Sequence, residues 1–467
     1  MGGSLRESMK QFILLILLTT AGAIGAQLYP FYGVLLYYTI VALRPQELWD
    51  WALPHEIRWS LLAGVAMIAA VIVNAPRVLR DMRFNIVMAL MVAFAALMAA
   101  SVFMAYDAET AQYWGMEYAK VLLAALIAGA VITRIWQVAV LALAVLAGVG
   151  YIAWEINSLY FFDGRLDVYH RGFGGLDNNG AGLMIAIALP LAYTFATAAP
   201  RLWQRAAAGL LGLVMLHAIM MTYSRGAMVA ALAGIAWAIV HHRSWSQRLL
   251  IAGALAMAIP FLAGDEIRDR FFSTAEWSDD RSAQIRFEAW SAAVAIANEH
   301  PFGVGVRNSP NLIQHYGGDV EGRAVHSQYL QIAADSGYPA MVVYLALLAA
   351  AFLCLRRARA ICLKHADACF AHHGKEDPEG LRAWRGSVLF LGFETGLIIF
   401  AIGASFLSIE VLELPWMMMA IAGIAPRAAR ALCGGAAGGE ARETPALLRS
   451  ARPSPFWQSS RITPPNP

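Results

Sequence analysis

Apolar runs of about 17 to 25 residues recur between residues 12 and 426, each long enough for an α-helix to cross roughly 30 Å of hydrocarbon. A chain patterned this way has few folds open to it, because backbone N–H and C=O groups facing lipid must be satisfied within the helix or a closed barrel. Runs of this length, separated by short charged or Trp-rich connections, predict an all-α polytopic membrane protein. Composition agrees: 59% of residues are hydrophobic and 14% charged. The first run, from Phe12, follows Arg6 and Lys10 with no convincing cleavage site after it, and reads as a retained anchor.

The predicted spans cover 12–44, 59–75, 84–105, 115–133, 135–156, 178–199, 206–222, 226–240, 249–264, 338–355, 387–409 and 411–426. Lys and Arg are retained in short cytoplasmic loops. The basic connections "PRVLRDMR", "PRLWQR" and "HHRSWSQR", together with 356–386, therefore face the cytoplasm. The opposite face receives "RPQELWDWALPHE", "YDAETAQYW", 157–177 and 265–337. Twelve helices result if 12–44 crosses once, and thirteen, with the N-terminus outside, if Tyr29-Pro30 separates two spans. The basic "MGGSLRESMK" favours twelve. The chain divides into 1–264 with helices one to nine, a cap at 265–337, and 338–430 with helices ten to twelve and a basic loop at 356–386. A Gly/Pro/Ser-rich tail at 431–467 has the composition of disorder.

The segment 265–337 is too long for an ordinary connection. "SAQIRFEAWSAAVAIANEHP" predicts an amphipathic helix with Phe287, Trp290, Val294 and Ala297 as its apolar stripe. Pro301 ends it, "FGVGVRN" turns, and a short helix from His326 is closed by Gly337. The segment carries six arginines on the face where basic residues are usually sparse, and Arg225 of "TYSRGA" lies at the outer junction of two spans. An arginine there either snorkels or holds an anion, and its planar fork suits phosphate oxygens. "DNN" at 177–179 reads first as a helix N-cap, with His170 and Arg171 near that N-terminus. "GVGVRN" lacks the Lys-Ser/Thr ending of a phosphate loop. The four cysteines, Cys354, Cys362, Cys369 and Cys433, show neither a disulfide framework nor metal-ligand spacing, implying a reducing side and no metal.

"TYSRGA", "QIRFEAWSAAVAIANEHPFGVGVRN" and "HSQYLQIAADSGYPA", in that order, resemble the O-antigen ligase family, which shares the pattern with O-antigen polymerases and protein O-oligosaccharyltransferases. The resemblance extends over roughly 160–345 and implies a GT-C-like membrane glycosyltransferase with a large periplasmic helical loop. It implies glycan transfer from undecaprenyl diphosphate to a hydroxyl of the lipid A core oligosaccharide, at the periplasmic face of the inner membrane. That transfer is inverting and needs neither metal nor cofactor. Carried onto this chain, Arg225 and Arg286 bind the diphosphate and His326 is the catalytic residue, with Arg171, Asn179 and Tyr223 as secondary candidates. "DNN" departs from the Asp/Asn-Pro-Asn of many members. The implied partners are the lipid-linked donor, the lipid A core acceptor and membrane lipids, with no nucleic acid. A polymerase, a protein glycosylation ligase and, outside the enzymes, a flippase or permease are the competing readings.

Overall fold

The computed structural model describes residues 2–54, 56–163, 168–242, 281–409 and 411–434, together with 248, 249 and 253. Apart from Leu249 and Gly253, the predicted span at 249–264 lies outside the described residues, as do the arginines at 268 and 270 and the tail from 435. The fold is built from α1 (Gly2–Leu28), α2 (Phe31–Leu43), α3 (Trp59–Val73), α4 (Ala75–Asp81), α5 (Ile86–Phe103), α6 (Ala108–Val131) and α7 (Ile135–Ser158). It continues with α8 (Asn178–Ala198), α9 (Leu202–Met221), α10 (Arg225–Val240), α11 (Arg281–Glu299), α12 (Gln328–His373), α13 (Pro378–Gly403) and α14 (Glu413–Gly434). Among the described residues there is no strand beyond a single bridge, Phe173 to Leu176.

Among the described residues eight helices are long and apolar enough to cross a membrane, and α3 with α4 makes a ninth if that pair, bent by 82°, is one span. Their outer surfaces stay apolar: Leu28, Ile72, Phe103 and Leu202 are 76%, 68%, 90% and 81% exposed. Only lipid makes such a surface stable, so the protein is a multi-pass membrane protein. Side-chain caps start several helices, as expected for Asp177: Asn85, Asp107, Asp177, Ser224 and Asp377 each accept from backbone N–H groups of the first turn.

Three expectations are revised. Residues 12–44 do not cross as one helix. The chain breaks at Tyr29-Pro30, and α2 folds back on α1, with Gly22 against Leu36 and Gly25 against Tyr32. Proline lacks the N–H a continuing helix needs. The hairpin puts Gly2 at the same end as Arg44, and α2, with 13 residues, is not among the helices long enough to cross a membrane. Second, the basic stretch 356–386 is mostly helical: α12 runs on to His373, and only Gly374 to Asp377 turns before α13. Third, α11 buries Ala289, Ala292, Ala293, Ile296 and Ala297, while Phe287 and Val294 stay 48% and 40% exposed. The small alanines let the helix approach the cap core of Val304, Ile313 and Val325 closely; of the predicted stripe, Trp290 packs against that core and Ala297 is buried, whereas Phe287 and Val294 face outward.

A buried ion pair holds α12 to α13. Arg359 Nη1 lies 3.3 Å from Oε2 of the fully buried Glu394, and Trp237 Nε1 of α10 donates to Glu394 Oε1 at 3.1 Å. The basic connections gather at one end, where Arg427 of α14 donates to the Asp81 carbonyl at 3.0 Å. The polar elements discussed next occupy the other end.

Candidate active site

Among the described residues, four non-glycine residues adopt left-handed backbone: Arg44 (φ 49°), Tyr223 (53°), Arg307 (59°) and His326 (54°). Such conformations cost of order 1–3 kcal/mol each and persist where surroundings over-determine them. Two of the corners directly precede the elements that carry Arg225 and Gln328.

The Tyr223 corner joins α9 to α10. Ser224 caps α10 through Ala227 N, leaving Arg225 as the first helical residue, half-buried at the end of the bundle. Asn178 Nδ2 donates to the Thr222 carbonyl at 3.1 Å, and Ser224 Oγ donates to Asn179 Oδ1 at 2.8 Å. A methyl group at Gly182 would stand 2.7 Å from Thr222 Oγ1, so α8 and this corner touch closely. "DNN" is thus both the N-cap of α8, Asp177 Oδ1 accepting from Gly180 N at 2.7 Å, and the brace that sets Arg225. Sequence reading found the cap but not the brace, since hydrogen bonds across 44 and 45 residues leave no local signal. Before it, Gly172, Gly174 and Gly175 all have positive φ, and the Arg44 side chain donates to the Gly174 carbonyl. Arg171, exposed on a four-residue helix, is not drawn into this network by any described hydrogen bond or ion pair; the side chain of His170 lies outside the description.

The His326 corner is anchored by the start of α12. Gln328 N donates to the carbonyls of Ala404 and Leu407, its Oε1 accepts from Ile409 N at 2.9 Å, and Tyr329 OH donates to the Ala401 carbonyl at 2.7 Å. Gly337 (φ 85°, ψ 167°) breaks α12 where the sequence predicted a helix end. "FGVGVRN" then runs beside that break: Val304 N and Gly305 N donate to the carbonyls of Ala334 and Asp335, and Tyr338 N to that of Pro301. A Cβ on Gly303 would meet Asp335 O at 2.4 Å, and one on Gly305 would meet Ala105 at 2.4 Å. These glycines serve close backbone approach between cap and bundle. Arg307 stacks over Trp114 at 4.4 Å, and Arg323 forms a two-pronged pair with Asp319.

His326 is half-buried between these elements. Burial, then the Arg286 guanidinium, pull its pKa from 6.5 down to about 4; Asp177 opposes the shift and Arg323 adds to it. The structure therefore brings His326, Arg286 and the Asp177 cap within electrostatic reach of one another, and the Asn178/Asn179 brace links that cap to the Arg225 corner. The imidazole is neutral at pH 7 and can accept a proton. Guanidinium groups at a water-poor boundary can hold phosphate oxygens. Among the described residues no three His, Cys, Asp or Glu donors group around His326; the one such group lies at the other end of the bundle.

The fold is that of an all-helical multi-pass membrane protein, with a half-buried histidine and arginines at one end of the bundle. Residues 210–345 match the family model described as O-Antigen ligase, and the chain's resemblance to the O-antigen ligase family is supported by that match. The matched stretch contains Arg225, Arg286 and His326, and it supports an enzyme of ligase or polymerase type. No curated protein matches the chain.

Proposed function

We propose that the protein is an O-antigen ligase that transfers a glycan from undecaprenyl diphosphate to a hydroxyl of the lipid A core oligosaccharide, at the periplasmic face of the bacterial inner membrane. The observation that carries this reading is the neutral His326 beside Arg286, linked through the Asp177 cap to the Arg225 corner. In the reaction the acceptor oxygen bonds to the anomeric carbon while the bond from that carbon to the diphosphate oxygen breaks, with inversion. His326 takes the acceptor proton. Arg225 and Arg286 stabilise the charge that develops on the departing lipid diphosphate, the task a divalent ion performs in many glycosyltransferases. Donor binding deepens the role of His326: a diphosphate on Arg286 offsets the positive field that depresses the imidazole, making it a stronger base when the reactants are assembled. Tyr223 and Asn179 contribute by fixing the corner that presents Arg225.

Polymerisation onto a second lipid-linked glycan, or transfer to a protein hydroxyl, uses the same donor half of the site, and the acceptor distinguishes them. Reconstituted protein is supplied with one undecaprenyl-diphosphate glycan and, in parallel, lipid A core, excess donor alone, or a pilin-like protein. The proposal expects glycan on lipid A core; product only on a second donor or on the protein would replace it with the corresponding alternative. A flippase would move donor across vesicles without forming any glycosidic product.

A further inference from the structure

At the end of the bundle opposite His326, α12 continues as a helix well past its apolar segment and meets the first turn of α13 across the Gly374–Asp377 turn. Two residues four apart on one face of α12, His365 and Cys369, point at this junction, and Glu379 faces them from α13. Their donor atoms, one nitrogen, one sulfur and one carboxylate oxygen, all lie within 4.8 Å of one another, with His365 Nε2 3.0 Å from Glu379 Oε1. The approach is built in by Gly380: a Cβ there would stand 2.7 Å from the Phe370 ring and 3.0 Å from Cys369 Cβ, so no other residue lets α13 come this close to the cysteine. Asp377 caps α13 through Gly380 N at 2.7 Å and fixes the turn that aims Glu379. Behind the trio, Cys362 lies one turn earlier on the same face of α12, close to Cys433 of α14.

We propose that His365, Cys369 and Glu379 bind a zinc-class divalent metal ion, stapling the extension of α12 to the start of α13. The spacing of the cysteines alone concealed the site, because its helical i, i+4 pair is a histidine with a cysteine. A tetrahedral ion with bonds of about 2.0–2.3 Å holds its ligand atoms roughly 3.3–3.8 Å apart, within reach of the observed grouping by small side-chain rotations. Thiolate with imidazole selects zinc and its neighbours over magnesium or calcium, which take oxygen ligands. Three protein donors leave the fourth position to water. On binding, the Cys369 thiol gives up its proton to solvent, and the ion replaces the hydrogen bond now joining His365 to Glu379.

The test uses the full chain purified in detergent on an affinity tag without histidines, stripped with chelator and titrated with Co²⁺, with zinc content measured separately after reloading. The expected result is one metal per chain, a thiolate-to-cobalt charge-transfer band and tetrahedral ligand-field bands. Cys369→Ser should remove the charge-transfer band, and His365→Ala and Glu379→Gln should each weaken Zn²⁺ binding by tenfold or more. If a variant does not fold, as judged by its elution profile, the wild-type cobalt spectrum still decides the matter. A wild-type spectrum without thiolate charge transfer would overturn the site, as would an unchanged band in Cys369→Ser.

Discussion

Replacing the arginines one by one separates a built diphosphate site from diffuse positive charge. The structure sorts them: Arg286 is the strongest charge acting on His326, and Arg225 opens α10 at the corner braced by Asn178 and Asn179. Arg307 is stacked on Trp114, and Arg323 is paired with Asp319 and acts on His326 less than Arg286 does. A charge-assisted contact to a phosphate oxygen is worth roughly 1.5–3 kcal/mol, which converts to about ten- to a hundredfold in transfer for Arg225→Ala or Arg286→Ala. Lysine keeps the charge but loses the fork, so Arg225→Lys and Arg286→Lys should regain only part of that loss. Arg307→Ala and Arg323→Ala should stay within about threefold of wild type by the same scale of surface interactions. The assay measures donor binding and transfer rate for all variants in one detergent preparation. Equal losses across the four alanine variants would reduce the site to general attraction for anionic lipid. Full donor binding and rate in Arg225→Ala would make Arg225 a snorkelling residue and remove the diphosphate from this corner.

Three further outcomes follow from the same geometry. Because the folded-state pKa of His326 lies at about 4, below its ordinary 6.5, its contribution to stability is fully present above about pH 6.5 and is lost as pH falls toward 4. Accordingly the acid limb of kcat/KM should fall near pH 4 to 5 and shift upward in Arg286→Gln; a wild-type limb at 6.5 would contradict the buried, arginine-flanked imidazole. Glu394→Ala leaves Arg359 buried without its partner and should cost about 3–5 kcal/mol, whereas pairing it with Arg359→Met should recover most of that; thermal unfolding checks both, and a single variant melting at the wild-type temperature would refute the tie. Chelation with EDTA should leave the initial transfer rate unchanged well below the melting temperature, even while it strips the staple between α12 and α13; turnover lost and then restored by magnesium or manganese would overturn the arginine account.

Helix existence was largely legible, because lipid imposes a length and an apolarity that local sequence must carry: α5, α7, α8 and α10 begin and end within a few residues of expectation. Gly337 and Pro301 likewise announced their breaks. Pairing between helices was not legible. Pro30 signalled a break and left a fold-back of α2 on α1 open, but the basic N-terminus weighed against it. Nor did periodicity reveal that alanines, smaller than Phe287 and Val294, would face the cap core, since closeness of packing outweighed side-chain size there. At the candidate site, motif order put Arg225, Arg286 and His326 on one face. The left-handed corners at Tyr223 and His326, and the cross-bundle bonds of Asn178 and Asn179, depend on contacts distant in sequence.

The account rests most directly on His326, and the decisive measurement is single-turnover transfer by His326→Ala in liposomes loaded with undecaprenyl-diphosphate glycan and lipid A core, with donor binding measured on the same sample. A positioned general base contributes roughly 10²–10⁴ in rate, so transfer should drop by at least a hundredfold while donor binding and helix content stay at wild-type levels. Transfer above about a tenth of the wild-type rate, outside that range for a lost general base, would remove His326 from the chemistry.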